Sequence, residues 1–182
     1  MNRETPSAAP AAAVKTSFPP CVDGHTRVLL LGSLPGEKSL AAGQYYANPG
    51  NAFWWLIGEV LGETALPAMP YAERLAALQR HGVGLWDVIE SARRKGSLDA
   101  AIRDATHRDL AAFAATLPNL RAIGFNGGKA ARDGRRQLTG QESRWALIDL
   151  PSSSGAHASM PKTAKLELWR RIGDYLDQPI NP

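Results

Sequence analysis

The chain repeats a simple pattern, in which a short aliphatic run ends at a loop rich in glycine and small polar residues. Four runs have this form, and their length and composition are typical of strands that are buried on both faces. They are TRVLLLGS (26–33), GVGLWDVI (82–89), LRAIGFNGG (120–128) and WALIDLP (145–151). The pattern therefore predicts four strands, each followed by a polar loop.

Between and after these runs, apolar residues recur at the three- and four-residue spacing of an amphipathic helix. Asn51 can cap the first helix and Pro70 can open the second. The predicted helices are one with Phe53, Trp54, Ile57 and Leu61; one with Tyr71, Leu75 and Leu78 that stops at Gly82; two that begin at the N-caps Ser97 and Thr106, the second ending at Pro118; KAARDGRRQL (129–138), interrupted by Gly134; and a last one with Leu166, Trp169, Ile172 and Leu176.

Strands that alternate with helices predict parallel strands joined by crossovers. The expected fold class is α/β, a three-layer α/β/α sandwich with a short, mainly parallel central sheet of about four strands. In such sheets ligands bind beyond the carboxyl ends of the strands. That rule selects four polar segments, 32–36, 87–91, 126–128 and 152–157, and the aromatic stretch YYANPGNAFWW (45–55) lies just after the first. We therefore expect a functional site along one rim of the sheet.

The composition is that of one globular domain rather than of a disordered or membrane chain. Of the 182 residues, 44% are hydrophobic and 21% are charged, and no apolar run approaches the roughly 20 residues that span a bilayer. We predict that residues 1–17 are a flexible Ala/Pro-rich tail without the features of a signal peptide, and that residues 18–178 form the single domain. A cytoplasmic protein with no membrane partner is expected.

Charge and cysteine content narrow the class of protein only slightly. Cys21 is the single cysteine, which excludes an internal disulfide and a cysteine-ligated zinc or iron–sulfur site and fits a reducing compartment. The net charge is +4 and the pI is about 9.5. This balance allows a polyanionic partner without requiring one.

Five motifs spread over residues 18–176 resemble the uracil-DNA glycosylase superfamily, and most closely its hypoxanthine-DNA (deoxyinosine) glycosylase branch. They are LLLGSLPG, YYANPGNAFW, GVGLWDVIESARRKGSLDAAI, IGFNGGKA and LPSSSGAHA, in the family's order. The resemblance implies a monofunctional DNA glycosylase of base-excision repair with no cofactor and no metal. Such an enzyme hydrolyses the N-glycosidic bond of a flipped deaminated base, with hypoxanthine favoured, and leaves an abasic site.

The resemblance assigns the catalytic role to Asn51, whose neutral amide would hold a water toward C1′ of the deoxyribose. An amide is a poor base, but positioning and electrostatics suffice where the transition state is dissociative. The mismatch-specific branch has a water-activating asparagine in its first loop, and this chain has Leu34 there. At the position before the proline of the aromatic motif, where the family often has histidine, this chain has Asn48. From the residues alone, Asn51 fits a helix N-cap at least as well.

Five residues are predicted to bind the extruded base. The ring of Tyr46 would stack on it, an interaction worth about 1–3 kcal/mol. The amide of Asn126 would give N–H to a base carbonyl and accept a ring N–H, which rejects adenine but does not separate uracil from hypoxanthine. Asp87 would accept a base N–H, and Gly32 and Ser33 would offer backbone N–H groups. The structural alternatives are core packing for Tyr46, a turn for Asn126, and a cap or ion pair for Asp87.

The loop SSSGAHA matches the family's second motif, which grips backbone phosphates and fills the gap left by the flipped nucleotide. We predict DNA contacts from Ser152, Ser153, Ser154 and His157, because hydroxyls and exposed amides suit phosphate oxygens. His157 could instead donate to the leaving base, or be an ordinary exposed residue. Five cations are candidates either for counter-charge to DNA or for solvated surface: Arg93, Arg94, Lys95, Lys162 and Lys165.

The expected partner is double-stranded DNA containing a deaminated base, with single-stranded DNA as a second substrate, bound by a monomer associated with the nucleoid. Other functions stay open. A uracil-DNA or mismatch-specific glycosylase would share the fold, and a lyase would use Lys38 or Lys129 as an amine nucleophile. A serine hydrolase would draw on Asp149 and His157, but the G-x-S-x-G motif is absent. The alternative of another class is a non-catalytic α/β nucleic-acid-binding module.

Overall fold

The computed structural model describes residues 12–176, so most of the predicted tail and the last two residues of the predicted domain lie outside the described residues. The strands are β1 Val14–Thr16, β2 Val28–Gly32, β3 Val83–Asp87, β4 Ile89–Arg93, β5 Arg103–His107, β6 Ala122–Asn126 and β7 Ala146–Leu150. The helices are α1 Glu37–Ala42, α2 Phe53–Leu61, α3 Tyr71–Arg80, α4 Leu110–Ala114, α5 Gly128–Gln137 and α6 Lys162–Trp169. Short 3-10 helices occupy Leu66–Ala68, Asp99–Ala101 and Arg170–Tyr175.

The core of the fold is a four-stranded parallel sheet in the order β3-β2-β6-β7. Every residue of β2, β3 and β6 is buried, as expected for aliphatic strands covered on both faces. Successive residues of β2 lie in different cores. Val28 and Leu30 pack with residues of α2, α3 and α6, whereas Leu29 and Leu31 pack with residues of α4 and α5. The predicted three-layer α/β/α sandwich is confirmed.

A second, antiparallel sheet in the order β1-β4-β5 was not predicted. The helix expected to begin at Ser97 does not form, because this part of the chain contains a 3-10 turn and then β5, and the start expected at Thr106 for the following helix is wrong. The next helix, α4, begins only at Leu110, and the Oδ1 of Asp109 caps it by accepting the N–H of Ala112 at 3.0 Å. Most side chains of β5 are exposed, so no apolar periodicity marks this strand in the sequence.

Two segments differ from their predicted state. Val14–Thr16, assigned to the flexible tail, pairs with β4, and Lys15 Nζ donates to the carbonyl of Gly96 at 2.7 Å. The segment 87–91, expected to be a loop, continues into β4. Both differences have one cause, since the two segments are held by pairing with each other across a large separation in sequence.

The remaining helices follow the predicted pattern. α2, α3 and α6 form where the apolar spacing indicated them, and all four residues of the last stripe are buried. α5 runs through Gly134 without the predicted interruption. A Cβ at this position would lie 2.3 Å from a ring carbon of Phe125. Glycine there allows α5 to lie close against the sheet. Within residues 12–176 no helix is long and apolar enough to cross a bilayer.

Candidate active site

A cavity of about 280 Å³ lies at the carboxyl ends of the parallel strands. Residues from all four predicted segments line it, as do residues of the aromatic stretch. Every predicted catalytic, base-binding and DNA-binding residue is among them: Gly32, Ser33, Tyr46, Asn51, Asp87, Asn126, Ser152, Ser153, Ser154 and His157. The prediction of a polar rim around one site therefore agrees with the geometry.

The floor of the cavity carries a buried carboxyl group. Asp87, the last residue of β3, is 3% exposed, and its Oδ2 has no hydrogen-bond partner among the described residues. Burial raises the pKa of Asp87 to about 7, Asp99 adds to the rise, and the cation of Arg108 opposes it. A Cβ on Gly32 would lie 2.7 Å from Asp87 Oδ1, so glycine at 32 keeps space open over the carboxyl group. Buried polar atoms without a partner are uncommon, and one in a cavity is a candidate to bind a ligand.

Tyr46 is held beside this carboxyl group by its neighbour Phe53. The two rings stack with centroids 3.7 Å apart and planes 10° apart. Tyr46 has a φ of 55°, a left-handed conformation that a bulky residue rarely adopts and that commonly accompanies a functional constraint. Burial raises the pKa of the Tyr46 hydroxyl, as does the nearby Asp87, while a hydrogen bond with Asn126 lowers it. Because Phe53 covers one face of the ring, only the other face remains for a ligand.

Asn51 lies half-buried at the rim, directly before α2. Its Oδ1 accepts the N–H of Phe53 at 3.0 Å, and its backbone N–H donates to the carbonyl of Asn48 at 2.8 Å. The first bond satisfies a free donor of the helix start, so the structural alternative for Asn51 is realised in part. It also fixes the orientation of the amide. The Nδ2 group makes no hydrogen bond within the described part of the chain, and it remains available together with the second lone pair of Oδ1.

Asn126, at the end of β6, is paired rather than open. Its Nδ2 donates to Ser153 Oγ at 2.8 Å, and its Oδ1 accepts the N–H of Ser153 at 2.9 Å. Asn126 is 8% exposed and Ser153 1% exposed. This amide edge is the one that was expected to bind the base, and here it binds Ser153. The hydroxyl of Ser153 is therefore inside the protein, which does not fit the predicted contact with a phosphate.

The loop 152–157 is shaped by its own hydroxyls and by a buried lysine. Ser152 Oγ accepts the N–H of Ser154 at 3.2 Å, and His157 is exposed. Lys165 is 5% exposed, and its Nζ donates to the carbonyls of Ser152 at 2.7 Å and His157 at 2.9 Å. Burial lowers the pKa of Lys165. The interpretation of this lysine as a surface cation was wrong, because it holds the loop from inside.

Arg94 holds the loop after β2 from inside, as Lys165 holds the loop 152–157. Arg94 is 1% exposed, and its guanidinium donates to the carbonyls of Leu34, at 3.1 Å, and Pro35. Arg94 is thus a structural clamp and not the exposed counter-charge that was one interpretation of the sequence. Desolvation lowers its pKa, and Asp99 raises it.

Sequence reasoning missed the segment 97–99, which forms one wall of the cavity. Asp99 Oδ1 accepts the hydroxyl of Ser33 at 2.6 Å, and Ser97 Oγ accepts the N–H of Glu37 at 2.9 Å. The polar sequence Ser-Leu-Asp contained a signal for a polar contact, but the prediction of a helix assigned it to a helix start.

The two sides of the rim contact each other directly. The N–H of Ala52 donates to the carbonyl of Ser153 at 2.9 Å, and a Cβ on Gly155 would lie 2.7 Å from the carbonyl oxygen of Gly50. A short chain of contacts therefore joins the backbone beside Asn51 to Ser153 and on to Asn126.

The geometry gives little support to the serine hydrolase and lyase alternatives. Asp149 binds Arg135, with Oδ1 2.8 Å from Nε, and is not among the cavity residues, so the serine hydrolase arrangement is not formed. Lys129 pairs with Asp133 at 2.7 Å outside the cavity, whereas Lys38 lines it. Trp54 is buried in the core. Within residues 12–176 no group of three His, Cys, Asp or Glu side chains is placed to hold a metal ion.

Comparison with known proteins gives consistent matches over most of the chain. A family model described as the Uracil DNA glycosylase superfamily matches residues 19–173. A protein named Hypoxanthine DNA glycosylase from Methanosarcina acetivorans is 39% identical over 159 residues, which is 87% of this chain and 98% of that protein. One of the same name from Methanosarcina barkeri is 40% identical over 152 residues, 83% of this chain and 93% of that protein. The solution NMR structure of a candidate Uracil DNA glycosylase from Methanosarcina acetivorans superposes with a TM-score of 0.79 at 37% identity, covering 91% of this chain and all of that one.

Proposed function

The chain belongs to the uracil DNA glycosylase superfamily and is a DNA glycosylase, and from this premise we propose that it releases hypoxanthine from DNA. The names of the two Methanosarcina relatives support this base. The reaction is hydrolysis of the N-glycosidic bond, with an abasic site as product. The substrate proposed is double-stranded DNA containing a deaminated base, bound by a monomeric enzyme. A cytoplasmic, nucleoid-associated location remains a prediction.

The observation that carries this proposal is the unpaired Oδ2 of Asp87 beneath a cavity whose wall includes the ring of Tyr46. A base inside a duplex has to be extruded before an enzyme can reach its glycosidic bond. The volume of about 280 Å³ is near the lower end of ligand pockets, which supports a single base as the occupant. Stacking on the free face of Tyr46 would offset part of the unstacking free energy.

Asp87 supplies a group that recognises a lactam base. When ionised, its Oδ2 accepts the ring N–H that hypoxanthine and uracil both carry. Adenine has a lone pair at that ring nitrogen, so it would leave the buried carboxylate oxygen unpaired, at a cost of about 1–3 kcal/mol. This contact rejects the undamaged base and leaves the choice between hypoxanthine and uracil to the shape of the cavity.

Asn51 is proposed to position the attacking water. The bond from the N–H of Phe53 fixes the amide, and the remaining lone pair and N–H groups can hold a water without removing its proton. Asn126 is proposed to act indirectly, because its amide is engaged with Ser153. Ser152, Ser154 and His157 are proposed to contact phosphates from the loop that Lys165 holds.

Release of the free base from a defined panel of duplexes tests the function. Duplexes that carry hypoxanthine, uracil or xanthine at one position are incubated with the enzyme, and the released base is quantified by mass spectrometry. We expect hypoxanthine to be released fastest and no covalent adduct to form under borohydride reduction. Faster release of uracil would assign the alternative uracil glycosylase activity. DNA binding without release of any base would indicate the non-catalytic module, and trapping through Lys38 would indicate a lyase.

A further inference from the structure

A second carboxyl group lines the cavity besides that of Asp87. Asp99, at the start of the 3-10 helix Asp99–Ala101, is half-buried and is one of the cavity residues. Two consecutive residues, Gly32 and Ser33, each lie next to one of the acids. A Cβ on Gly32 would lie 2.7 Å from Asp87 Oδ1, and the hydroxyl of Ser33 donates to Asp99 Oδ1 at 2.6 Å. One short piece of backbone therefore brings both carboxyl groups to the same cavity.

The two acids have opposite surroundings. Asp87 is 3% exposed, and its Oδ2 has no hydrogen-bond partner among the described residues, so its surroundings favour the neutral form. Asp99 keeps contact with solvent and accepts the hydroxyl of Ser33, and both conditions favour the charged form. Where the surroundings of two titratable groups in one site differ in this way, the two groups take different roles.

Asp99 acts on the ionisation of Asp87 together with two cations. Burial raises the pKa of Asp87 to about 7, the cation of Arg108 opposes this rise, the charge of Asp99 adds to it, and Arg94 opposes it. Both arginines have other partners, since Arg94 donates to loop carbonyls and Arg108 donates to Ser17 Oγ at 2.6 Å. Asp99 therefore opposes the loss of the Asp87 proton from within the cavity itself. The other titratable side chains of the cavity are Tyr45, Tyr46 and the exposed Glu37, Lys38 and His157.

We propose that Asp99 determines whether Asp87 meets the bound base as a hydrogen-bond acceptor or as a donor. The inference rests on the proposed function, since it concerns recognition of a base in this cavity. Without its proton, Asp87 accepts the ring N–H of a lactam base such as hypoxanthine. With its proton, the same carboxyl group donates to a ring lone pair such as that of adenine. Asp99, through its negative charge, keeps the proton on Asp87 up to a higher pH. It thus acts on the base through Asp87 and sets the pH range in which the cavity selects the deaminated base.

The test is a pH titration of the Asp87 carboxyl group, followed by carbon NMR in protein labelled at the aspartate carboxyls, with Asp87→Asn to identify the signal. Asp99→Asn removes the charge but keeps an oxygen that can accept the hydroxyl of Ser33. We expect this variant to lower the midpoint of the Asp87 titration from about 7 to about 6. Asp99→Glu keeps the charge and should leave the midpoint near the wild-type value.

Asp104→Asn is the matched control for the loss of one negative charge. The carboxylate of Asp104 is 77% exposed and does not line the cavity. Asparagine also tolerates the left-handed backbone at this position, where φ is 50°. The midpoint of the Asp87 titration should therefore be the same in Asp104→Asn as in the wild type.

Binding of the free bases, measured by calorimetry at increasing pH, connects this titration to recognition. Hypoxanthine should bind about tenfold more tightly above the midpoint than below it, and adenine should bind more weakly above it. The reason is that the wrong protonation state leaves a buried polar atom of the pair without a partner. In Asp99→Asn both changes should occur around the lower midpoint.

An unchanged midpoint in Asp99→Asn would overturn the proposal, and so would an equal decrease in Asp104→Asn. Binding of both bases that is independent of pH while the carboxyl group titrates would overturn it as well. A wild type that releases no base from any duplex would instead refute the proposed function, and the carboxyl titration would still decide whether Asp99 controls Asp87.

Discussion

Asn51 and Asn126 bring the same carboxamide to the same cavity, but their surroundings differ. Asn126 is buried, and both ends of its amide are bound to Ser153. Asn51 is half-buried at the rim, where only its Oδ1 is engaged, by the N–H of Phe53. A satisfied buried amide stabilises its surroundings, because breaking it leaves donors and acceptors unpaired. An amide with spare hydrogen-bonding capacity at a cavity rim can hold a water.

The largest effect is expected from Asn51→Ala. Loss of the group proposed to position the water should reduce single-turnover base release by about 100- to 1,000-fold, the range found when one preorganised polar group is removed from an active site. The affinity for DNA, measured by fluorescence anisotropy, should change little. Asn119→Ala is the control, since it removes a side-chain amide that does not line the cavity and whose Nδ2 donates to the carbonyl of Gly24 at 2.6 Å. Base release by Asn51→Ala at the wild-type rate would contradict the proposal that Asn51 positions the water.

Asn126→Ala should act on stability first. It leaves the hydroxyl and the N–H of Ser153 without their partner, and we expect the free energy of unfolding to fall by about 1–3 kcal/mol. Ser153→Ala keeps the N–H bond to Asn126 Oδ1 and should cost less. Urea denaturation of both single variants and of the double variant gives the coupling energy. A coupling energy near zero would mean that the pair contributes nothing and that Asn126 is free to bind the base.

Asp87→Asn tests the buried carboxyl group of the cavity through the pH dependence of stability and base release. Burial raises the pKa of Asp87 from 3.8 to about 7, so between these values the folded protein keeps a proton that the unfolded chain has lost. Its stabilising contribution is complete below the lower value and is lost as the pH rises through the upper one. We expect the wild type to lose more unfolding free energy than Asp87→Asn between pH 5 and pH 8. Base release should rise through a pKa near 7 in the wild type only.

Lys165→Met should give the smallest change. It removes both bonds to the carbonyls of Ser152 and His157 and loosens the loop that carries Ser153, without touching Asn51. We expect KM for damaged duplex to rise about threefold to tenfold, with a smaller fall in kcat, since a hydrogen bond from a charged donor is worth about 1.5–3 kcal/mol and only part of that loss reaches the DNA contact. Lys165→Arg, which keeps the charge, separates loop geometry from electrostatics if it fails to restore KM. An unchanged KM in Lys165→Met would show that the loop needs no internal support.

The four parallel strands could be predicted because each is a continuous aliphatic run, and buried parallel strands leave that signal in the sequence. The cavity could be predicted because polar segments follow the strand ends. The pairing of Asn126 with Ser153 could not, since it joins two loops that are distant in sequence. Arg94 and Lys165 resemble surface cations in composition, and only the fold shows that their charged ends lie inside. The prediction of helices over 97–109 failed because Ser97 and Thr106 are good local caps. The structure there is decided instead by the pairing of β5 with β4.

The contact between Gly50 and Gly155 has a mechanical consequence. With a carbonyl oxygen only 2.7 Å from where a methyl group would lie, the two backbones are in close contact and leave no room for a side chain between them. The loop proposed to hold the nucleic acid strand and the turn proposed to position the hydrolytic water are therefore in contact before any substrate arrives.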